Sequence, residues 1–415
     1  MMNVTGARMQ ETLFGRVISI RKYKTTIFAD MYMYTNKPTR KQIMIAGNQK
    51  INFSVGDIIK VKGQDTITQK GLEALDVSNI EILSRSSISQ PKIGKKHINK
   101  DKYKSSFYDA LRGGRSIKLW HLRNDIISTI QAILIEKGFL QIYSPILANQ
   151  RGTSIAEPFS TVTETGEIRY LRITEEINHK KIFAATLSAL FEFGYVFRRM
   201  GTGGNHANEY LVVELIHPNW KLNDLIQLVS EIYNRLVPLV KSKNMELPSE
   251  FGKALSICTF DEVLKPYKER IGRYNPKLMN NKYELEEKHI RFDFFQKFIK
   301  PNINRPTIVY GYDIGSPLAV ARGDKYKELE LIMGGSGIGH GYEDEINYSI
   351  LLQRFEQQQK ALEVRGIKAG IDYTFLEAAK AGLPPSASLV IGIDRLVSYI
   401  SNIEYSPKVI ARLFL

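Results

Sequence analysis

The sequence lacks the features that mark secreted and membrane proteins. It has a single cysteine, Cys258, among 415 residues, so no disulfide can form within the chain. The longest apolar run, around residues 126–135, contains polar residues and is far shorter than a membrane-spanning helix. The first residues lack the apolar core of a secretory signal. These absences predict a cytoplasmic protein with no membrane partner. The length of the chain predicts more than one hydrophobic core.

Acidic residues are the minority among the charged side chains. Lys and Arg number 58 and Asp and Glu 43, which gives a formal net charge of +15. A basic surface favours a polyanionic partner such as nucleic acid, because neutralised phosphates release their counterions. A generally basic proteome would produce the same excess, so charge alone leaves both interpretations open.

The hydrophobic pattern changes along the chain and predicts two domains. Short alternating runs between Phe14 and Leu83 predict about five strands and an OB-type β-barrel, although any small β-barrel would share this pattern. A polar, basic stretch follows and is typical of a linker. From about Leu119, amphipathic helix and then mixed helices and strands predict an α+β domain. The predicted boundaries are 1–84 for the barrel, 85–115 for the linker and 116–415 for the larger domain.

Three separated segments carry a specific pattern. They are a helix that ends in GFLQIYSPIL, the stretch FEFGYVFRRMGTGGNHANEYLVVELIHP (191–218) and GLPPSASLVIGIDRLVSYI (382–400). In this order they resemble motifs 1, 2 and 3 of class II aminoacyl-tRNA synthetases. The segments at 170–181, 315–319 and 330–345 resemble the lysyl members in particular. The resemblance implies an N-terminal OB barrel, an antiparallel catalytic sheet flanked by helices, and a homodimer that uses motif 1 as its interface.

The resemblance also implies an ATP site. Forming an aminoacyl adenylate requires positive charge around the α-phosphate, and planar guanidinium groups suit that task. Arg198 matches the motif 2 arginine on the α-phosphate and substrate carboxylate, and Arg395 matches the motif 3 arginine on the γ-phosphate. Phe197 and His206 are candidates near the nucleotide, and Glu330 matches a magnesium-binding glutamate. A surface salt bridge, a core aromatic or an idle loop histidine is the simpler alternative for each residue alone.

Several positions depart from the family pattern at the predicted ATP site. The second metal-binding glutamate falls on Gly337, so the Mg²⁺ site is in question unless one of the three acids at 343–345 replaces it. Met200 stands where motif 2 has a glutamate, and glycines usual in motif 3 are replaced at Ala387, Ser388 and Val390. These departures predict slower activation or an unusual substrate.

The expected amino-acid pocket is acidic at both ends, because a buried ammonium group needs a counter-charge. Glu176 matches the glutamate for the α-amino group, and Glu209 is a second family match. Asp344 falls on the position that meets the distal ammonium, but it is one methylene shorter than the expected glutamate. Tyr342 and His340 belong to the same wall. The substrate is therefore expected to be lysine or a longer or bulkier cationic amino acid.

In the barrel, three residues fall on the positions with which lysyl enzymes read a uridine-rich anticodon. They are Arg21, Phe28 and Gln42. An aromatic face can stack on an unpaired base, and the two polar side chains can hydrogen-bond to its edge. A core phenylalanine and two ordinary surface residues are the alternative. The trio predicts binding of a lysine-type tRNA.

The expected activity is ATP-dependent activation of lysine or a lysine-like amino acid, followed by transfer to tRNA. One alternative is a paralogue that passes the activated acyl group to a different acceptor, which the altered ATP site favours. Another is a catalytically silent paralogue that binds tRNA or an amino acid, which the retained Arg198, Arg395, Glu330 and Glu176 disfavour.

Overall fold

A computed structural model describes residues 10–33, 39–87, 110–111, 115–151, 156–199, 207–243, 245–274, 286–364, 366 and 370–403. The chain forms two compact units that divide after Leu122. The predicted linker, 85–115, lies almost entirely outside the described residues, so its boundaries stay a prediction.

The first unit contains a five-stranded barrel. Its strands are β1 (Gln10–Lys22), β2 (Thr26–Met33), β3 (Arg40–Ala46), β4 (Ile58–Ile67) and β5 (Glu73–Ser84). They pair in the cyclic order β1-β2-β3-β5-β4, and β1 pairs with both β2 and β4. Alternate residues Ile27, Ala29 and Met31 face the core. Gly63 allows β4 and β5 to approach closely, since a Cβ there would lie 2.2 Å from the Asp76 carbonyl oxygen. The predicted OB-type barrel is confirmed.

The second unit is built on an eight-stranded sheet. The described strands of this unit, which include those of two smaller sheets, begin in chain order with the following nine. They are β6 (Leu140–Gln141), β7 (Leu147–Ala148), β8 (Ser160–Val162), β9 (Ile168–Leu171), β10 (Leu190–Phe197), β11 (Glu209–Pro218), β12 (Ser256–Thr259), β13 (Thr307–Tyr310) and β14 (Ala321–Arg322). The last four are β15 (Lys325–Tyr326), β16 (Glu328–Met333), β17 (Ser336–Glu343) and β18 (Ser386–Gly392). The sheet has the order β12-β13-β16-β17-β18-β11-β10-β6, and its centre is antiparallel.

Helices flank this sheet. They are α1 (Arg115–Glu136), α2 (Glu176–Thr186), α3 (Leu222–Lys241), α4 (Phe260–Leu264), α5 (Lys268–Arg273), α6 (Glu287–Phe294), α7 (Tyr348–Glu363), α8 (Tyr373–Gly382) and α9 (Ile393–Ile400). In α3, residues Leu225, Leu228, Val229 and Ile232 recur on one face and are buried, which explains why this segment is a helix against the sheet. The α+β class is confirmed. Within the described part of the chain, no helix combines the length and the apolar character needed to cross a bilayer.

Candidate active site

Strand register places the polar candidates in two rows on one face of the sheet. Directly opposite residues in an antiparallel pair share a face, so the pairing can be followed from strand to strand. The first row, from β16 to β10, is Glu330, His340, Val390, Glu214 and Glu192. The second row is Glu328, Tyr342, Ser388, Ile216 and Leu190. Residues from the motif 2 segment, the motif 3 segment and the 330–345 segment thus meet on a single surface.

A cavity of about 340 Å³ opens on this face. Its polar lining includes Arg172, Glu176, Arg198, Glu214, His340 and Tyr342. Four of these residues are among the predicted site residues. Arg172 and Glu214 were not predicted.

Arg198 follows β10 at one side of this cavity. Its Nε donates a hydrogen bond of 3.1 Å to the Ile173 carbonyl, and its guanidinium carbon lies 5.6 Å from the centre of the Tyr210 ring. Burial raises the pKa of Tyr210, whereas Arg198 and Arg395 both act to lower it. Both predicted arginines therefore lie within electrostatic reach of the same phenol. Tyr210 is an aromatic residue that the sequence analysis did not identify.

Three predicted residues are not found among the described residues that line that cavity. Phe197, at the end of β10, is half-buried, and its cross-strand partner Glu209 is exposed. Neither side chain is among those that line the cavity of Arg198. His206 lies outside the described residues, as does Met200. Their proposed roles stay predictions.

Glu176 begins α2, and Lys180 follows one turn later on the same side of the helix. The Lys180 ammonium lies 3.3 Å from Glu176 and makes a shorter contact with Asp344. The side chains of Lys180 and Asp344 are each 4% exposed. Burial alone would lower the pKa of Lys180, but Asp344 and Glu176 outweigh it and raise that pKa. Lys180 is therefore a buried, charged ammonium held between two carboxylates.

The Asp344 carboxylate is occupied by internal partners. Ser386 Oγ donates to it at 2.7 Å, and Ser388 Oγ donates at 2.9 Å, in addition to the contact with Lys180. Ser388 lines the cavity, whereas Asp344 lies behind it. The sequence analysis assigned Asp344 to the substrate ammonium, but the structure gives that carboxylate an ammonium from the chain itself. Ser388, which replaces a glycine usual in motif 3, supplies one of the hydrogen bonds that hold it.

The acids on either side of Asp344 have structural roles. Glu343 accepts a hydrogen bond of 3.1 Å from the backbone N–H of Leu222 at the start of α3. Glu345 accepts hydrogen bonds from the backbone N–H groups of Ile346 and Asn347, at 3.1 and 3.0 Å. Both side chains stabilise chain turns, and neither is among those that line the cavity. A replacement metal ligand among these acids stays a prediction.

Arg172, which lines the cavity, extends its guanidinium into a cluster of buried carboxylates. Its guanidinium lies 2.7 Å from Glu192 and 2.8 Å from Glu175. Burial would raise the pKa of Glu192, but hydrogen bonds from His179, Ser144 and Arg172 lower it to about 2. Burial and the nearby Glu214 carboxylate raise the pKa of Glu175 to about 10. Among the described residues, Glu175, His179 and Glu192 have the spacing of a metal site, but the Arg172 cation already fills this position.

The opposite wall is formed by β16 and β17. Tyr342 donates a short hydrogen bond to Glu176, and His340 Nε2 lies 2.6 Å from Glu328. The other oxygen of Glu328 accepts a hydrogen bond of 2.8 Å from the backbone N–H of Ser316. The structure thus brings Tyr342, His340 and Glu176 together, as the sequence analysis expected.

Arg395 lines a second cavity of about 820 Å³. Its Nη1 donates a hydrogen bond of 3.0 Å to the Gly337 carbonyl, and Lys300 lines the same space. Lys300 Nζ lies 2.6 Å from Glu330 Oε1. The predicted metal ligand is therefore already paired with a cation. A two-carboxylate Mg²⁺ site does not fit here, because Gly337 stands in place of the second acid and an ammonium contacts the first.

The predicted trio of the barrel lies around an aspartate that the sequence analysis did not identify. Arg21 Nη2 donates to both oxygens of Asp30, at 3.1 and 3.0 Å, and Gln42 Nε2 donates to the same carboxylate at 3.2 Å. Phe28 is opposite Arg21 on β2, and its ring lies 5.9 Å from that of Tyr23. The three residues form one patch on the outer barrel face, with Asp30 fixing the two polar members.

Five further residues at these sites were not predicted from sequence. They are Lys180, Glu214, Arg172, Lys300 and Asp30. Glu214 alone had a local signal, because it is a single acid within an apolar run of a buried strand. The others are charged residues whose partners lie on different elements.

Comparison with known proteins agrees with this geometry. Residues 99–411 match the family of tRNA synthetases class II (D, K and N). The chain is 27% identical to lysine–tRNA ligase 2 of Methanosarcina acetivorans over 95% of this chain and 83% of that protein. It is 27% identical to a lysine–tRNA ligase of Saccharolobus solfataricus, covering 95% of this chain and 85% of that protein. It is 30% identical to a lysine–tRNA ligase of Helicobacter hepaticus, covering 86% of this chain and 73% of that protein. The chain belongs to the class II tRNA synthetases of the D, K and N group and is a ligase.

Proposed function

We propose that this chain is a lysine–tRNA ligase. In the first step, a lysine carboxylate oxygen attacks the α-phosphorus of ATP. The bond between the α- and β-phosphates breaks, and pyrophosphate leaves lysyl adenylate behind. In the second step, a ribose hydroxyl at the 3′ end of tRNA attacks the acyl carbon, an ester forms, and AMP and a proton are released.

The charge balance around the cavity of about 340 Å³ is the observation that carries the choice of lysine. Glu176 and Glu214 line it, and Asp344 lies behind Ser388, so three carboxylates surround it. Among the described residues, Lys180 is the ammonium that lies between two of these carboxylates and offsets one charge. Arg172 is paired with Glu175 and Glu192, and Arg198 is assigned to the substrate carboxylate. Two of the three carboxylate charges then remain for the two ammonium groups of lysine.

Glu214 is the strongest candidate for an incoming ammonium group. It is 6% exposed, and its carboxylate accepts hydrogen bonds from Thr174 Oγ1 at 2.9 Å and from the backbone N–H of Glu175 at 3.0 Å. Burial raises its pKa, so a bound cation would favour the charged carboxylate. Glu176 and Tyr342 line the same space and would receive the second ammonium group.

Arg198 is the proposed catalytic residue. It lines the same cavity as Glu176 and Glu214, where it can pair with the substrate carboxylate and with the α-phosphate oxygens as they gain charge. Tyr210 offers an adjacent ring for the adenine. Arg395, in the second cavity, is proposed to bind the outer phosphates.

The outer barrel patch of Arg21, Phe28 and Gln42 is proposed to read the anticodon of a lysine-type tRNA. The hydrogen bonds to Asp30 hold the two polar side chains beside Phe28 before any base arrives. We further propose that the chain forms a homodimer through its motif 1 segment and that it acts on tRNA in the cytoplasm.

Amino-acid-dependent exchange of pyrophosphate into ATP tests the first step. The panel is lysine, ornithine, arginine, methionine and norleucine, with tRNA aminoacylation measured in parallel. We expect lysine to support both reactions, and norleucine, which lacks only the distal ammonium, to support neither. Exchange with lysine but no charging of a lysine tRNA would favour another acyl acceptor. Equal exchange with norleucine would refute the charge argument.

A further inference from the structure

A lysine of the chain stands where a metal ion is expected. Lys300 begins a short 3₁₀ turn and places Nζ 2.6 Å from Glu330 Oε1 and 3.2 Å from Gln296 Oε1. The side chains of Lys300 and Glu330 are 17% and 16% exposed. Limited solvent access makes this pair stronger than a surface salt bridge, so the ammonium is a fixed part of the site.

Gly337 lies beside Glu330 and leaves no space for a side chain while the Glu330 carboxylate keeps its present position. A Cβ built at Gly337 would lie 2.2 Å from Glu330 Oε1 and 3.5 Å from Lys300 Nζ. A side chain at 337 would therefore require the Glu330 carboxylate to shift from its present position. The glycine and the lysine are two parts of the same arrangement.

The two arrangements carry the same net charge. Two carboxylates with one divalent ion sum to zero, and so do the single Glu330 carboxylate and the Lys300 ammonium. The local field is therefore similar, although the cation now belongs to the protein. Binding ATP here would not require Glu330 to capture an ion first.

The ammonium also lies beside the proposed phosphate site. Lys300, Gly337 and Arg395 line one cavity, and Arg395 is fixed by its hydrogen bond of 3.0 Å to the Gly337 carbonyl. Lys300 and Arg395 thus place two cationic side chains in one space, which Glu250 also lines. Such a pair suits the outer phosphates of a nucleotide.

We infer that Lys300 replaces the protein-bound divalent ion and binds the ATP phosphates directly, so that nucleotide binding does not depend on a metal at Glu330. This inference rests on the proposed ATP site. Lys300 would be a phosphate-binding residue specific to this chain's version of the site.

Calorimetric titration of ATP, with Mg²⁺ or with excess EDTA, tests this inference. For the wild-type chain we expect the two Kd values to agree within about threefold. Lys300→Met should weaken binding in EDTA by about tenfold or more, since the fixed cation is lost. Lys297→Met, three residues earlier with a side chain 54% exposed, is the matched control and should behave as wild type.

Electron paramagnetic resonance with Mn²⁺ gives a readout that does not depend on activity. Without nucleotide, the wild-type chain should bind no stoichiometric Mn²⁺. The double variant Lys300→Met with Gly337→Glu, which restores two carboxylates and removes the ammonium, should bind one. Stoichiometric Mn²⁺ on the wild-type chain, or equal ATP affinities of wild type and Lys300→Met in EDTA, would overturn the inference. Failure of the wild-type chain to bind ATP under either condition would instead refute the proposed function.

Discussion

Replacement of Asp344 by asparagine separates two roles for this carboxylate, that of an internal counter-ion and that of a substrate ligand. In the structure, Asp344 contacts Lys180, and both side chains are 4% exposed. Removing one member of a buried ion pair leaves the other uncompensated, at a cost of about 3–5 kcal/mol. Lys180 keeps Glu176 at 3.3 Å as a second counter-charge. We therefore expect the lower end, about 3 kcal/mol, which is a large share of a typical stability.

Two further variants make the magnitude interpretable. The double variant Lys180→Met with Asp344→Asn removes both charges, so it should recover to within about 1–2 kcal/mol of wild type. Lys181→Met is the surface control, because Lys181 is 31% exposed and lies 3.4 Å from Asp372. That change should cost no more than about 1 kcal/mol.

Urea unfolding followed by far-UV circular dichroism measures the stabilities, and lysine-dependent pyrophosphate exchange measures the KM for lysine. The internal role predicts a lower unfolding midpoint for Asp344→Asn and recovery in the double variant. If Asp344→Asn unfolds at the wild-type urea concentration while the KM for lysine rises steeply, the reasoning is refuted. In that case the aspartate would serve the substrate, as the sequence alone suggested.

Other predictions concern the remaining parts of the two units. Arg198→Ala should lower both kcat and kcat/KM of the exchange reaction by about 10²–10³, because a hydrogen-bond donor to the transition state is lost. Near-normal exchange in this variant would show that Arg198 has no part in the mechanism. Phe28→Ala should weaken tRNA charging by about 1–3 kcal/mol without changing exchange, and equal damage to both assays would contradict a separate role for the barrel. Glu192→Gln should lower the free energy of unfolding by about 3 kcal/mol above pH 5, because lowering the carboxyl pKa from 4.5 to about 2 stabilises the fold by about 1.36 kcal/mol per pH unit. This deficit in the free energy of unfolding should shrink as the pH falls towards 2. Glu175→Gln replaces a carboxyl whose pKa is about 10, so it should cost little stability at pH 7 in the same unfolding assay.

The local order of the chain could be predicted from its sequence. Alternating residues defined the barrel strands, and helical spacing defined segments such as α3, because each depends on neighbours only a few positions away. The motif segments gave the family and named residues such as Arg198, Glu176 and Tyr342, which do meet around one cavity. The pairing of β1 with β2 and of β2 with β3 could also be predicted, because these strands are consecutive in the chain.

The charge partners were decided by tertiary structure. Lys180 and Asp344 are 164 positions apart in the chain, and Lys300 and Glu330 come together from a turn and a strand. Sequence spacing assigns a side chain to a face, but it does not give the order β16-β17-β18-β11-β10 that aligns one row of residues across the sheet. A resemblance transfers the role of a position only when its neighbours are unchanged. Here an internal ammonium stands beside each of the two acids, Asp344 and Glu330, so only the fold could reveal that both already have a counter-charge.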